Sequence, residues 1–352
     1  MRLLPSKPDK KFLAHFLIAS FILSFVLLIG FHLIPNPLIS PLQLIPDDTL
    51  TSLLPHLRQH PNTFYLHQAS NSARPLFIPP KDVEAKAYLV IDLTSGEIVG
   101  EHNADSPLAI ASLTKIMSAV VTLDLASPEE QFKVTPRAAA QIPTKIGVVA
   151  GETMTVHELL EASLMTSAND AIEVLRDGID AKYADPGLFV RAMNKKAEIL
   201  GLTHTHFDNP QGFDSLTHYS SAHDLAILTH YALTTYPLIS QIVKQDYIFL
   251  PKNSLHKQFD LYNWNGLLDV YPGVIGVKIG NTDDAETTTI VAAQRDDETL
   301  LVVVLGAPGI YERDEWAAEL LDAGFSATRG LPPVNITSAQ LKAKYATWKY
   351  WQ

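Results

Sequence analysis

The sequence predicts an α/β domain of about 250 residues carried behind one N-terminal transmembrane helix, with a short tail after it. Three observations predict this. Apolar residues make up 47% of the 352-residue chain, enough for a sizeable core. Helical and strand-like apolar periodicities alternate from residue 83 onward. Ahead of them lies an almost wholly apolar stretch from Phe12 to Ile34, interrupted only by His15, Ser20, Ser24 and His32, and long enough to cross a bilayer.

Arg2, Lys7, Lys10 and Lys11 form a basic tail over residues 1–11, whereas residues 35–57 before Arg58 carry no cation. The cationic side therefore places the N-terminus in the cytoplasm and the rest of the chain outside it. A cleavable signal peptide is the rival reading, but its apolar region is shorter and residues 30–40 offer no small-x-small cleavage site. Residues 35–82 hold nine prolines, which resist both helix and central strand, and read as a spacer with one short helix near Leu50 to Leu57. The domain is expected over 83–328, and 329–352 as a tail too short for a core of its own. Tyr345, Trp348, Tyr350 and Trp351 in that tail suit either a membrane interface or packing on the domain.

A net charge of -11 repels polyphosphates, and no basic stripe interleaved with aromatics tracks a nucleic-acid backbone. The absence of cysteine excludes a thiolate nucleophile, a disulfide framework and a cysteine-based zinc site. Any nucleophile is oxygen or nitrogen. His204, His206, His218 and His223 match no metal-ligand spacing, and neither a metal nor an organic cofactor is expected.

Ala87 to Gly100 reads as a hairpin at the sheet edge, turning at Thr94-Ser95-Gly96. From Ser112 through Leu123 the pattern suits a helix, which places Ser112 and Lys115 on one face. An alcohol becomes a good nucleophile only when a base takes its proton, and Lys115 is that base if it is neutral. A second buried cation lowers a lysine pKa, and Lys278 is the candidate. Taken alone, the serine is as readily an N-cap and the lysine a solvated first-turn residue. Thr155 to Met165 has amphipathic helical spacing and runs into Ser167-Ala168-Asn169-Asp170, with a further helix through Ile179. Ser167 and Asn169 suit proton relay and amide binding, or the capping of a helix junction. Residues 274–282 read as a strand whose glycines admit a ligand backbone, or as an edge strand with a protective lysine.

In this order the three segments Ser112-Leu113-Thr114-Lys115, Ser167-Ala168-Asn169 and Lys278-Ile279-Gly280 resemble the S-x-x-K, S-x-N and K-T-G signatures of penicillin-binding and serine β-lactamase enzymes. Further matches at 193–197, 201–207, 218–226 and 302–307 narrow the resemblance to the low-molecular-weight D-alanyl-D-alanine carboxypeptidases. It covers residues 83–325, about two-thirds of the chain. The resemblance implies a five-stranded antiparallel sheet flanked by helices, a mostly helical lobe, and a site between the two. It implies Ser112 as the acylated nucleophile, Lys115 as its base, Ser167 and Asn169 as the opposite wall, and Lys278 as electrostatic partner. It also implies an oxyanion hole from the N–H groups of Ser112 and Asn281, with Gly280, Thr282 and Arg313 at the substrate carboxylate. The implied partners are peptidoglycan stem peptides, with β-lactams as covalent inhibitors.

Two positions depart from the pattern. Ile279 replaces the threonine of K-T-G, which removes a hydroxyl that contacts the substrate carboxylate, and Gln211 stands where histidine is usual. An active carboxypeptidase is the first expectation. A catalytically weak or inactive peptidoglycan-binding homologue, and a D,D-endopeptidase or β-lactamase relative, are the alternatives.

Overall fold

A computed structural model describes residues 48–68 and 76–348. The stretch at 12–34 expected to cross the membrane lies outside the described residues, and among those described no helix is long and apolar enough to cross a membrane. The account below concerns the compact unit Ser52–Gln352, together with the start of one helix that enters it.

In chain order the elements are α1 (Asp48–Leu57), β1 (His67–Gln68), β2 (Ala87–Asp92), β3 (Glu97–His102), a 3-10 turn (Ala111–Thr114) and α2 (Lys115–Leu125). They continue with β4 (Gln131–Lys133), α3 (Pro136–Ala139), β5 (Thr153–Thr155), α4 (Val156–Met165), α5 (Asn169–Lys182), α6 (Leu188–Leu200), α7 (Ala222–Thr235) and α8 (Pro237–Val243). After them come β6 (Tyr247–Leu250), β7 (Phe259–Tyr262), β8 (Val274–Thr282), β9 (Glu286–Arg295), β10 (Glu298–Ala307), α9 (Ile310–Arg329) and α10 (Ser338–Tyr345).

The main sheet has six strands in the order β1-β3-β2-β10-β9-β8. Five are antiparallel, as expected, but the two-residue β1 pairs parallel with β3, which makes the sheet mixed. The expectation of a purely antiparallel five-stranded sheet is corrected accordingly. So is the placing of the β2–β3 hairpin at the edge: β1, from the proline-rich segment, caps β3, and β2 lies inside against β10. The hairpin turn forms as read, with Asp92 Oδ1 accepting the Thr94 N–H at 2.8 Å and Gly96 at φ 82°.

Helices cover both faces of the sheet, so β10 is buried almost throughout and its run Leu300 to Leu305 is apolar without alternation. On one face Val90, Leu300, Val302 and Val304 pack against Ala317, Leu321 and Phe325 of α9. Leu341 of α10 joins the same cluster, so the C-terminal segment packs on the domain, with Tyr345 and Trp348 also buried. The proline-rich segment likewise buries Leu53, Leu57 and Phe64. The helical lobe is built around α2, which is buried on nearly all sides, as its apolar sequence dictates. In the same lobe α4 opens with a capping box between Thr155 and Glu158.

Candidate active site

Ser112 lies on the 3-10 turn and Lys115 is the first residue of α2, so the helix begins three residues later than its sequence pattern implied. The tighter turn stacks residues three apart, which brings the two side chains together. Lys115 Nζ lies 2.8 Å from Ser112 Oγ, 2.9 Å from Asn169 Oδ1 and 2.8 Å from the Gln211 carbonyl, so as a neutral amine it can donate to the last two and accept from the serine. Ser112 caps nothing: neither the turn nor α2 has a side-chain cap. The bland reading of this pair therefore fails. Ala111, directly before the serine, holds φ 48°, a left-handed conformation that is costly for alanine and typical of functional turns.

The second wall follows the same logic. Helix α5 starts with Ala168 at its N-cap and no side-chain cap, so neither Ser167 nor Asn169 serves as one. Asn169 instead faces Lys115, while its Nδ2 donates to the Ile142 carbonyl at 3.3 Å. Ser167 is buried at φ 60°, and its hydroxyl has no hydrogen-bond partner among the described residues. Asp170, fully buried, accepts the N–H groups of Ile146, Gly147 and Val148 and so pins the loop that overhangs the site.

The third wall is β8, the last strand of the sheet. A Cβ on Gly280 would lie 2.9 Å from both the Ala111 Cβ and the Ser112 backbone nitrogen, so only glycine lets the strand come this close to the serine. Lys278 shares its strand face with Gly280 by the two-residue period. Lys278 is buried, donates to the Ile279 carbonyl at 2.9 Å, and is pushed down to about 7 by burial and then by the Arg313 guanidinium. Lys115 is held well below the usual lysine range, first by burial and next by Lys278, while Asp170 opposes the shift. Burial and the nearby charge of Lys278 thus favour a neutral amine at the serine.

A cavity of about 270 Å³ opens here, lined by Ser112, Asn169, Gln211, Phe213, Asn281 and Thr282 among others. The residues expected at the substrate carboxylate separate. Asn281 and Thr282 line this cavity, whereas Ile279 and Arg313 are buried outside its lining. Arg313 is engaged by Asp314, Nε to Oδ1 at 2.7 Å and Nη2 to Oδ2 at 3.1 Å, and its Nη1 has no partner. Thr282 Oγ1 donates to Asp214 Oδ1 at 2.6 Å. Sequence reasoning missed the Gln211 carbonyl and the carboxylates of Asp170, Asp214 and Asp314. Asp170 was visible beside Asn169, but a backbone carbonyl leaves no mark in a sequence. Of the histidines, His218 is pushed down to about 4, chiefly by burial, and its Nε2 lies 2.8 Å from Thr114 Oγ1 beneath the turn. His223 sits 2.7 Å from both Glu101 and Asp105.

A mixed sheet flanked by helices, with a helical lobe and a lysine–serine pair between them, is the transpeptidase/β-lactamase-like fold. Solved relatives bear this out. The Streptomyces K15 DD-transpeptidase superposes with a TM-score of 0.66 at 26% identity, covering 71% of this chain and 99% of that one. The D-alanyl-D-alanine carboxypeptidase DacD of Francisella tularensis gives 0.64 at 26%, covering 73% of each. In sequence, the D-alanyl-D-alanine carboxypeptidase DacF of Bacillus subtilis is 34% identical over 274 residues, 76% of this chain and 69% of DacF. DacB2 of Mycobacterium tuberculosis is 29% identical over 257 residues, 71% and 85% of the two chains. The match to DacA of Escherichia coli, at 29% identity, spans 64% of that protein's length. The model of the peptidase S11 family, D-alanyl-D-alanine carboxypeptidase, matches residues 71–309, and this chain belongs to that family.

Proposed function

We propose that this protein is a serine D-alanyl-D-alanine carboxypeptidase that trims peptidoglycan stem peptides outside the cytoplasmic membrane, tethered there by residues 12–34. The observation that carries the reading is the buried Lys115 amine, held below its usual pKa and 2.8 Å from Ser112 Oγ. Neutral Lys115 takes the serine proton as Oγ attacks the carbonyl carbon of the penultimate D-alanine. The N–H groups of Ser112 and Asn281 receive the oxyanion, a contribution of about 3 kcal/mol per donor in comparable sites. When the peptide bond breaks, the proton passes to the leaving D-alanine nitrogen, with the free Ser167 hydroxyl as relay. Water then attacks the ester on Ser112 while Lys115 accepts its proton, and Lys115 returns that proton to Ser112 Oγ as the acyl–Oγ bond breaks. No metal or cofactor takes part.

One observation favours a weaker variant of this reading, a wall-binding homologue with slow turnover. Thr282 and Arg313, the groups best suited to replace the hydroxyl lost at Ile279, are both already engaged by aspartates. One experiment separates the two. The full chain in detergent is given diacetyl-L-lysyl-D-alanyl-D-alanine and, separately, a fluorescent penicillin, beside Ser112→Ala. D-Alanine release that vanishes in the variant supports the carboxypeptidase. Peptide binding without release or acylation supports the homologue.

A further inference from the structure

The loop after α3 divides two cavities. Pro143 and Thr144 line the one beside Ser112 and also a second, of about 500 Å³. The second is fastened to the end of α4, just before Ser167. The backbone N–H of Trp264, whose residue is in its wall, donates to the Met165 carbonyl at 3.2 Å, and Thr166 Oγ1, also in its wall, lies 3.4 Å from the Tyr262 carbonyl. Ser167 follows directly. On the other side Asp170 anchors the dividing loop through three N–H groups, so this cavity is a fixed continuation of the site.

Its lining has a distinct chemistry. Lys145 is exposed and makes no hydrogen bond or ion pair among the described residues. Lys257 Nζ donates to the Gly147 carbonyl at 2.5 Å and lies 5.4 Å from the centre of the Phe259 ring, with N–H groups to spare. Asp260 is the one acid in the lining, and the Tyr247 hydroxyl donates to it at 2.6 Å. Nearby Glu152 has both oxygens occupied, by the N–H groups of Lys257 and Val149. Two cations against one engaged carboxylate, with Trp264, Phe259 and Pro143 as apolar walls, suit an aliphatic chain that ends in a carboxylate.

Building on the acyl-transfer reading above, we propose that this cavity receives the side chain of the residue preceding the terminal D-alanyl-D-alanine, and selects one bearing a free carboxylate, a diamino diacid over lysine. With the scissile bond at Ser112, the preceding side chain crosses the Pro143-Thr144 divide and places its carboxylate between Lys145 and Lys257.

The test compares diacetyl-L-lysyl-D-alanyl-D-alanine with its diacetyl-meso-diaminopimelyl counterpart, which carries one more carboxylate, on the full chain and on Lys145→Gln/Lys257→Gln. The full chain should prefer the diaminopimelyl peptide by about tenfold in kcat/KM, the order expected of a charged hydrogen bond. The double variant should lose that preference while release from the lysyl peptide, and acylation by benzylpenicillin, stay within about twofold. No preference in the full chain, or an equal loss on both peptides, overturns the proposal. Equilibrium binding of both peptides to Ser112→Ala reads the cavity without turnover. A preference in binding with no D-alanine release would keep the subsite and sink the acyl-transfer reading, whereas equal binding sinks the subsite itself.

Discussion

The charge on Lys278 acts on Lys115. Both lysines are buried, and that charge lowers the Lys115 pKa. Acylation of Ser112 therefore sets in as pH rises through the depressed Lys115 pKa, because only the neutral amine accepts a proton. Lys278→Met removes the neighbouring cation, which raises the Lys115 pKa and moves the acid limb of the pH–rate profile to higher pH. Benzylpenicillin acylation followed from pH 5 to 9 measures it, and a limb that stays in place or moves down contradicts the coupling. At Ile279 the missing hydroxyl forgoes a charged hydrogen bond of roughly 1.5–3 kcal/mol, about ten- to a hundredfold in capture. Ile279→Thr should raise the second-order rate of penicillin acylation by at least about tenfold, and an unchanged rate would show that this position does not limit binding. The candidates Ser112, Lys115, Ser167, Asn169 and Lys278 were legible in the sequence, since each stands in a short motif. The aspartates that engage Thr282 and Arg313 were not, because Asp214 reaches across from a distant loop and Asp314 is one of 38 acidic residues with nothing local to single it out.

Among the elements, the flanking segments owe their order to contacts made far away in the chain. The carbonyl that ends α1, on Leu57, accepts from Lys196 Nζ of α6 at 2.8 Å, and the same amine pairs with Asp124 of α2 at 2.8 Å with both side chains fully buried. Tyr236 also bonds that carboxylate. Lys196→Met leaves Asp124 buried beside an uncharged neighbour and strips the last carbonyl of α1 of its donor. Breaking a buried pair from one side costs about 3–5 kcal/mol. Urea unfolding should show a correspondingly lower midpoint, and a midpoint within error of the parent would contradict the role given to this pair. The helices α2, α4 and α5 and the strand β8 were read from periodicity at nearly their observed places. Helix α2 was the exception at its start, because a 3-10 turn and an α-helix share the same apolar residues and differ only in their hydrogen bonds. The parallel strand β1 left no signal, since two residues carry no period at all.

For the whole molecule, the apolar stretch at 12–34 and the basic residues before it predict that the full chain sediments with membranes, resists extraction by salt and is released by detergent. Deleting residues 12–34 should leave D-alanine release intact in a soluble fraction; a full-length chain that is soluble without detergent would overturn the tether. The order of helical and strand periodicities determined the α/β class, and three motifs in one order determined the family, because both kinds of information are local in the chain. Tertiary structure alone decided that Leu53, Leu57 and Phe64 before the domain and Leu341, Tyr345 and Trp348 after it are buried, since that depends on which apolar surfaces remain uncovered once the sheet and lobe have met. It alone decided that Lys115 is buried within reach of the Lys278 charge, and that a cavity with two lysines shares Pro143 and Thr144 with the one beside Ser112. Those facts arise from residues more than a hundred positions apart meeting in space, and charge, burial and distance act on neighbours in space rather than on neighbours in sequence.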